Sequence, residues 1–437
     1  MRPGRRGHLP PGFGTIWSSV AIDLVGFGIV LPILPIYAKR FHASSLQAAL
    51  LLTAFSAAGF VAAPLWGRLS DRYGRRPVIL VSLAGTALGS LLTGAAGGLP
   101  LLYAGRLIDG ASGASVSVAQ AAAADLAGGD AERRSRLFGL LGAAFGIGFV
   151  AGPAIGALAA LAGPRVPFFV AAGLAALNTV AAIRRLPETR PSDTRPSDTR
   201  PSDTAPSDTA PSDPAPSDFR PSDPGSPEAG GADRPGRAGA RWRDLPLAAI
   251  GPLLLVAFAA MVAFSGFEAT FSLFGQRRLN LGIGSAALVF TLVGLVIVAV
   301  QATIVRRAVV RLGEGRTLAS GLVLNIAGLA LLATAQSWAA AAPALLLLTA
   351  GQGLVQTTMA AALADRAGSG RRGQVLGAQQ SVSALARIAG PAAGGALLGA
   401  RASGAAYVFG AAVTAVALIA LVWTFRYGPI GDPDISI

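Results

Sequence analysis

Asp23, Arg106 with Asp109, Glu268 and Arg387 each interrupt a long apolar stretch of this chain. An ionisable group in hydrocarbon is costly unless it is neutral, paired or facing a polar cavity, so such residues mark functional positions. Asp23 and Glu268 are the candidates to take up and release protons. Arg106 and Asp109, three residues apart, share one helix face. They either neutralise each other, or the permanent charge of Arg106 acts on a neighbouring acid. Glu268 stands among Phe264, Phe267 and Phe271, and Asp23 is followed by Phe27, so a flat or cationic apolar molecule has aromatic faces to bind, unless these rings are core. Gln352 and Gln356 share a face and line the same cavity or hydrogen-bond a neighbouring helix. The chemistry implied is proton exchange and reversible binding of a small molecule. The chain contains no phosphate-binding loop, metal-ligand cluster or nucleophile triad, so no enzyme activity, cofactor or metal site is expected.

The elements that hold these residues follow from composition. Of 437 residues, 52% are hydrophobic and only 13% charged, which places the chain in a lipid bilayer. Spans of about 20 apolar residues lie at 14 to 37, 46 to 66, 78 to 97, 99 to 123, 138 to 161, 167 to 184, 247 to 274, 284 to 305, 317 to 336, 339 to 363, 376 to 399 and 404 to 425. Only helices satisfy their backbones over such lengths in lipid, and the alternating pattern of a barrel is absent. The expected fold is all-α and polytopic. The net charge of +14 is explained by topology. Arginines crowd the loops on one side: Arg68, Arg72, Arg75 and Arg76; Arg133, Arg134 and Arg136; Arg306, Arg307, Arg311 and Arg316; Arg366, Arg371 and Arg372. That bias puts both termini in the cytoplasm and excludes nucleic acid as a partner. The first span is too long for a signal-peptide core and should remain. With no cysteine, disulfides and thiol-bound metals are excluded.

Residues 191 to 224 repeat a five-residue unit that begins Pro191-Ser-Asp-Thr-Arg195. With a proline in each unit and nothing apolar to bury, the stretch from 187 to 244 should be an extended cytoplasmic linker between six-span bundles at 1–186 and 245–437. The bundles resemble each other. Gly139, Gly152, Pro153 and Gly156 recur as Gly377, Gly390, Pro391 and Gly394, at a constant offset of 238. Arg72-Tyr-Gly74 recurs as Arg311-Leu-Gly313, with Val310 where Asp71 would be.

Three strings carry a family resemblance. The first, Gly67-Arg-Leu-Ser-Asp-Arg-Tyr-Gly-Arg-Arg76, reads as a tight charged turn with glycines at both ends. It is similar to the loop between the second and third spans of the major facilitator superfamily. The second is the fifth-span string Gly139, Gly148, Gly152-Pro153, Gly156. On spacing alone it is a small-residue packing stripe with a proline kink; it resembles the motif of proton-coupled antiporters, departing at Ala157. The third is the first span, from Asp23 to Pro35, which is similar to that of twelve-span drug:proton antiporters, tetracycline exporters among them. Arg106 and Gly110 resemble the family's fourth-span motif, with Asp109 in place of the usual glutamine.

The resemblance implies two pseudo-symmetric six-helix bundles in the cell membrane, working as a monomer by alternating access. It implies export of a drug-like molecule in exchange for protons; a sugar or metabolite exporter or facilitator is the alternative, and a receptor built on this fold the remote one. Asp71, with Arg72, Arg75, Arg76 and the flanking Gly67 and Gly74, would gate the cytoplasmic side. Glu268, matched by the repeat to about Ile29, would stand roughly 9 Å further out than Asp23. The linker expectation is checked by deletion: removing residues 191 to 240 while retaining a spacer long enough to join the bundles should leave transport in vesicles unimpaired.

Overall fold

The computed structural model describes residues 9–113, 115–127, 131–186, 247–366, 372–399 and 404–427. The linker expected at 187–244, like Arg2, Arg5, Arg6, Arg371 and Arg401, lies outside the described residues. Those described form helices joined by short turns. α1 (Phe13–Val30) and α2 (Leu34–Ala38) make the first span, and α3 (Ser45–Tyr73) and α4 (Arg75–Gly94) the next two. α5 (Leu99–Ser112) and α6 (Ser115–Ala127) follow, then α7 (Ala131–Ala160) and α8 (Val166–Arg185). The second set is α9 (Leu247–Arg278), α10 (Ile283–Thr303), α11 (Val305–Thr334), α12 (Trp338–Arg366), α13 (Arg372–Gly399) and α14 (Ala405–Tyr427). Among the described residues, eleven helices are long and apolar enough to cross a membrane.

The expected fourth span is the exception. In place of one helix over 99 to 123, α5 and α6 are separated at Gly113, and each alone is short. Two carbonyls next to the break are satisfied from neighbouring helices: the Trp66 indole donates to Ala111 O at 2.5 Å, and the Ser82 hydroxyl to Ser112 O. The first span is also interrupted, at 31 to 33, where Pro32 and Pro35 lack amide hydrogens. The turn expected over 67 to 76 is narrower than its sequence suggests. α3 continues through Gly67 to Tyr73, and only Gly74, at φ 100°, breaks the chain before α4. Gly313, at φ 77°, makes the corresponding kink inside α11. Pro153 and Pro391 are accommodated within continuous helices.

Helices pack in the same pairs in both sets: α1 with α7 and α8, as α9 with α13 and α14; α4 with α5 and α8, as α11 with α12 and α14. The sets meet where α3 lies on α13 and α7 on α10. Calling the arginine-rich end inner, the two sets share one apolar core toward the outer end, where Leu31, Tyr37, Ala49 and Leu52 join Phe271, Phe274, Leu281 and Leu398. Toward the inner end, core clusters stay within one set: Phe13, Val20, Ile79, Leu137 and Leu186 in the first, Val300, Val305 and Leu354 in the second. Hydrogen bonds between the sets also sit toward the outer end. Ser272 Oγ donates to Pro32 O at 2.7 Å, Thr53 Oγ1 to Ile388 O at 3.2 Å, and Arg277 to Ser45 Oγ at 2.5 Å and to Leu398 O, within its own set, at 3.1 Å. Nearby, Lys39 Nζ donates to Ala43 O at 2.7 Å, and burial, then the Arg277 charge, lowers the Lys39 pKa from its ordinary value. The structure is thus closed at its outer end.

Contact at the glycines fixes the pairs. A Cβ at Gly152 would stand 2.6 Å from Gly28 Cα and from Val25 O, whereas one at Gly139 would meet nothing within 4 Å. Gly152→Val should therefore cost roughly 2 to 3 kcal/mol by overpacking and collapse the monodisperse fraction in size-exclusion chromatography after heating. Gly139→Ala should run like the unsubstituted protein.

Candidate functional site

The central cavity is built from four helices. α9 brings Ser265 and Glu268, α13 brings Arg387 and Pro391, α1 brings Phe27 with Leu31 just past its end, and α3 brings Leu52, Phe55 and Ser56. The register of α13 on α9 is set by Gly390, whose missing Cβ lets it lie against Val262 and Gly266, and by the Ser265 hydroxyl, which donates to Ala386 O at 3.1 Å. That register places Arg387, one turn before Pro391, on the lining of the same cavity as Glu268. Glu268 is 6% exposed. Facing these charges from the first set, the rings of Phe27 and Phe55 lie 5.3 Å apart at 33°. The free space is about 20 Å³, room for about one water.

Asp23 is half-buried on α1, four residues before Phe27, so it lies on the same face one turn inward. The matching contacts Gly28–Gly152 and Gly266–Gly390 pair Glu268 with Val30, one residue beyond the position read from the sequence repeat.

The other candidates go elsewhere. Arg106 and Asp109 form an ion pair of 2.9 Å, and Arg106 also donates to Thr93 Oγ1 on α4 at 2.9 Å. Both are buried, and the pair is satisfied within its own half. Phe264, Phe267 and Phe271 do not line the cavity. Phe267 and Phe271 pack on Phe290 of α10, with centroids 6.1 and 5.9 Å away, and Phe264 on Phe267 at 5.8 Å. The packing of α9 on its neighbours turns these rings into core. Gln352 is buried against α11, where Asn325 Nδ2 approaches its Oε1 at 3.4 Å, and Gln356 is exposed and accepts from Gln301 Nε2 at 3.2 Å.

In the inner turn, Asp71 and Arg75 are 2.6 Å apart, and Arg75 Nε donates to Asp125 at 3.1 Å. Arg75 also donates to Ser70 Oγ at 2.7 Å, and Arg76 to Ile183 O at 2.6 Å. The turn thus ties the inner ends of α3, α4, α6 and α8 together within the first set. The Asp71 side chain is 69% exposed, so its pair with Arg75 adds little stability. Gly148, Gly152 and Gly156 form one stripe against Leu24, Gly28 and Ile29 of α1, as the spacing suggests. Sequence reasoning missed Ser265, Phe55 and Ser56. Ser265 was discoverable, being three residues before Glu268 on the same helix face. Phe55 and Ser56 carry no signal in an apolar span, since helix rotation alone decides which of its side chains face inward.

The chain matches the profile of the Major Facilitator Superfamily over residues 16–391, and again over 305–434. It is similar to the class C tetracycline resistance protein of Escherichia coli, 30% identical over 413 residues, covering 93% of this chain and 95% of that one. The solved structure of the human organic anion transporter TETRAN is 24% identical, with a TM-score of 0.64 over 94% of this chain and 98% of that one. The nucleoside transporter NupG shares the fold at 13% identity, with a TM-score of 0.68 over 95% of this chain and 99% of that one. With helices paired alike in two sets and a buried charged cavity between them, the chain belongs to the Major Facilitator Superfamily, as a multi-pass membrane transporter of a small molecule.

Proposed function

We propose that the protein exports a small amphipathic, drug-like molecule in exchange for protons, by alternating access. The observation that carries this reading is the carboxylate of Glu268, buried in a cavity that both halves line, with Asp23 on the adjoining helix face one turn further in. The similarity to a tetracycline resistance protein supports export of a drug. With the outer end closed, substrate reaches the cavity from the inner side. Opening of the outer end admits protons to Glu268 and Asp23, and their neutralisation releases the substrate. Arg106 and Asp109 act as a fixed brace of α4 on α5. The Asp71 turn works on the inner gate, holding its own half together in the closed-outside state. The two six-span sets, 1–186 and 245–437, rock as bundles in the cell membrane with both termini cytoplasmic, and the protein acts as a monomer.

Transport in inverted vesicles tests the coupling. Asp23→Asn with Glu268→Gln should reduce uphill, gradient-driven uptake to background, whereas a facilitator carrying the same substitutions would keep downhill exchange. Uptake that ignores an imposed pH gradient in the unsubstituted protein would sink the proton coupling and leave a facilitator.

A further inference from the structure

The molecule holds two sets of opposite charges inside the membrane, and they are arranged differently. Arg106 and Asp109 are closed on each other at 2.9 Å, with Thr93 taking up the remaining donors. Glu268 and Arg387 line the same cavity, yet among the described residues they form no ion pair within 4 Å. Separated opposite charges in a low-dielectric interior are expensive unless something lies between them. Both come from the second half of the chain, and the Gly266–Gly390 contact with the Ser265–Ala386 hydrogen bond fixes their helices in register. The first half adds no charge to the lining: it supplies Phe27, Phe55, Leu31, Leu52 and the hydroxyl of Ser56.

We propose that Arg387 is a specificity-determining residue that makes the central site read two charges: the transported molecule places an anionic group on Arg387, a cationic or donor group on Glu268, and an apolar aromatic body against Phe27 and Phe55. This rests on the cavity being the export site. A zwitterion satisfies the buried Glu268 and the half-buried Arg387 at once. A permanent monocation meets the carboxylate but is repelled by a guanidinium that cannot lose its proton, in a site too dry to screen it. A site with buried polar groups rejects molecules that leave one unmatched. Arg387 therefore turns an acid that would accept any lipophilic cation into half of a two-point reader.

Equilibrium binding to the purified full chain at neutral pH, with no gradient imposed, tests this independently of proton coupling. Two fluorescent probes suffice: norfloxacin, a zwitterion, and ethidium, a permanent monocation. The unsubstituted protein should favour norfloxacin. Losing a charge-assisted contact should lower the norfloxacin-to-ethidium affinity ratio of Arg387→Gln by at least about tenfold, and Arg387→Lys should restore most of it. A ratio in a monodisperse Arg387→Gln sample within about twofold of the starting protein would overturn the role of Arg387. Tighter binding of ethidium than of norfloxacin by the unsubstituted protein, or binding of neither, overturns the substrate class, and this comparison decides the matter alone if Arg387→Gln aggregates. Uptake by the unsubstituted protein that ignores the pH gradient, with the ratio intact, would count against the proton exchange and not against the two-charge site.

Discussion

Close backbone contact between helices is the constraint from which the rest of this molecule follows. In lipid there is no hydrophobic gain in joining two apolar helices, so association depends on van der Waals contact at short range. The chain achieves that contact twice by the same means, with Gly28 against Gly152 and Gly266 against Gly390. A side chain at Gly28, Gly152 or Gly390 would separate the pair, and with it the relation of α1 to α7 and of α9 to α13. Because the cavity draws residues from α1, α9 and α13, its geometry depends on these glycine contacts, with the Ser265 to Ala386 hydrogen bond beside one of them.

On this shared frame the two halves use charge differently. In the first half, Arg75 bridges Asp71 and Asp125 at the inner end, and Arg106 with Asp109 braces α4 against α5. At the repeat offset of 239, Val310 and Glu314 stand in place of Asp71 and Arg75, and Leu345 and Leu348 in place of Arg106 and Asp109. The second half instead directs Glu268 and Arg387 at the cavity. Two similar bundles thus differ: the first keeps Arg106 and Asp109 for internal bracing and leaves Asp23 on the face of Phe27, the second lines the cavity with Glu268 and Arg387.

The architecture was largely legible in the sequence because its causes are local. Span length, arginine bias and the recurrence of Gly152-Pro153 as Gly390-Pro391 each report on a physical demand of the bilayer at one place in the chain. The cavity was legible only in part, because its lining depends on helix rotation. Glu268 and Phe27 were found by type, and Arg387 by its rarity in hydrocarbon. Phe264, Phe267 and Phe271 were left open between ligand face and core, since an aromatic in an apolar span looks the same whether it meets a ligand or Phe290. The charged string from Gly67 to Arg76 resembled a loop because glycine and arginine punctuate loops in water; here the helix runs on and only Gly74 leaves it.

The divided fourth span has a mechanical meaning. Between α5 and α6 the carbonyls of Ala111 and Ser112 are held by the side chains of Trp66 and Ser82, so the chain there has already given up part of its helical bonding. Turning α6 against α5 at Gly113 then breaks no continuous helical ladder. α6 ends with Asp125, which grips Arg75, while α5 ends beside the closed pair of Arg106 and Asp109. The span is therefore two rods joined at Gly113, with the inner rod tied to the Arg75 turn and the outer rod clamped to α4 by a separate buried ion pair.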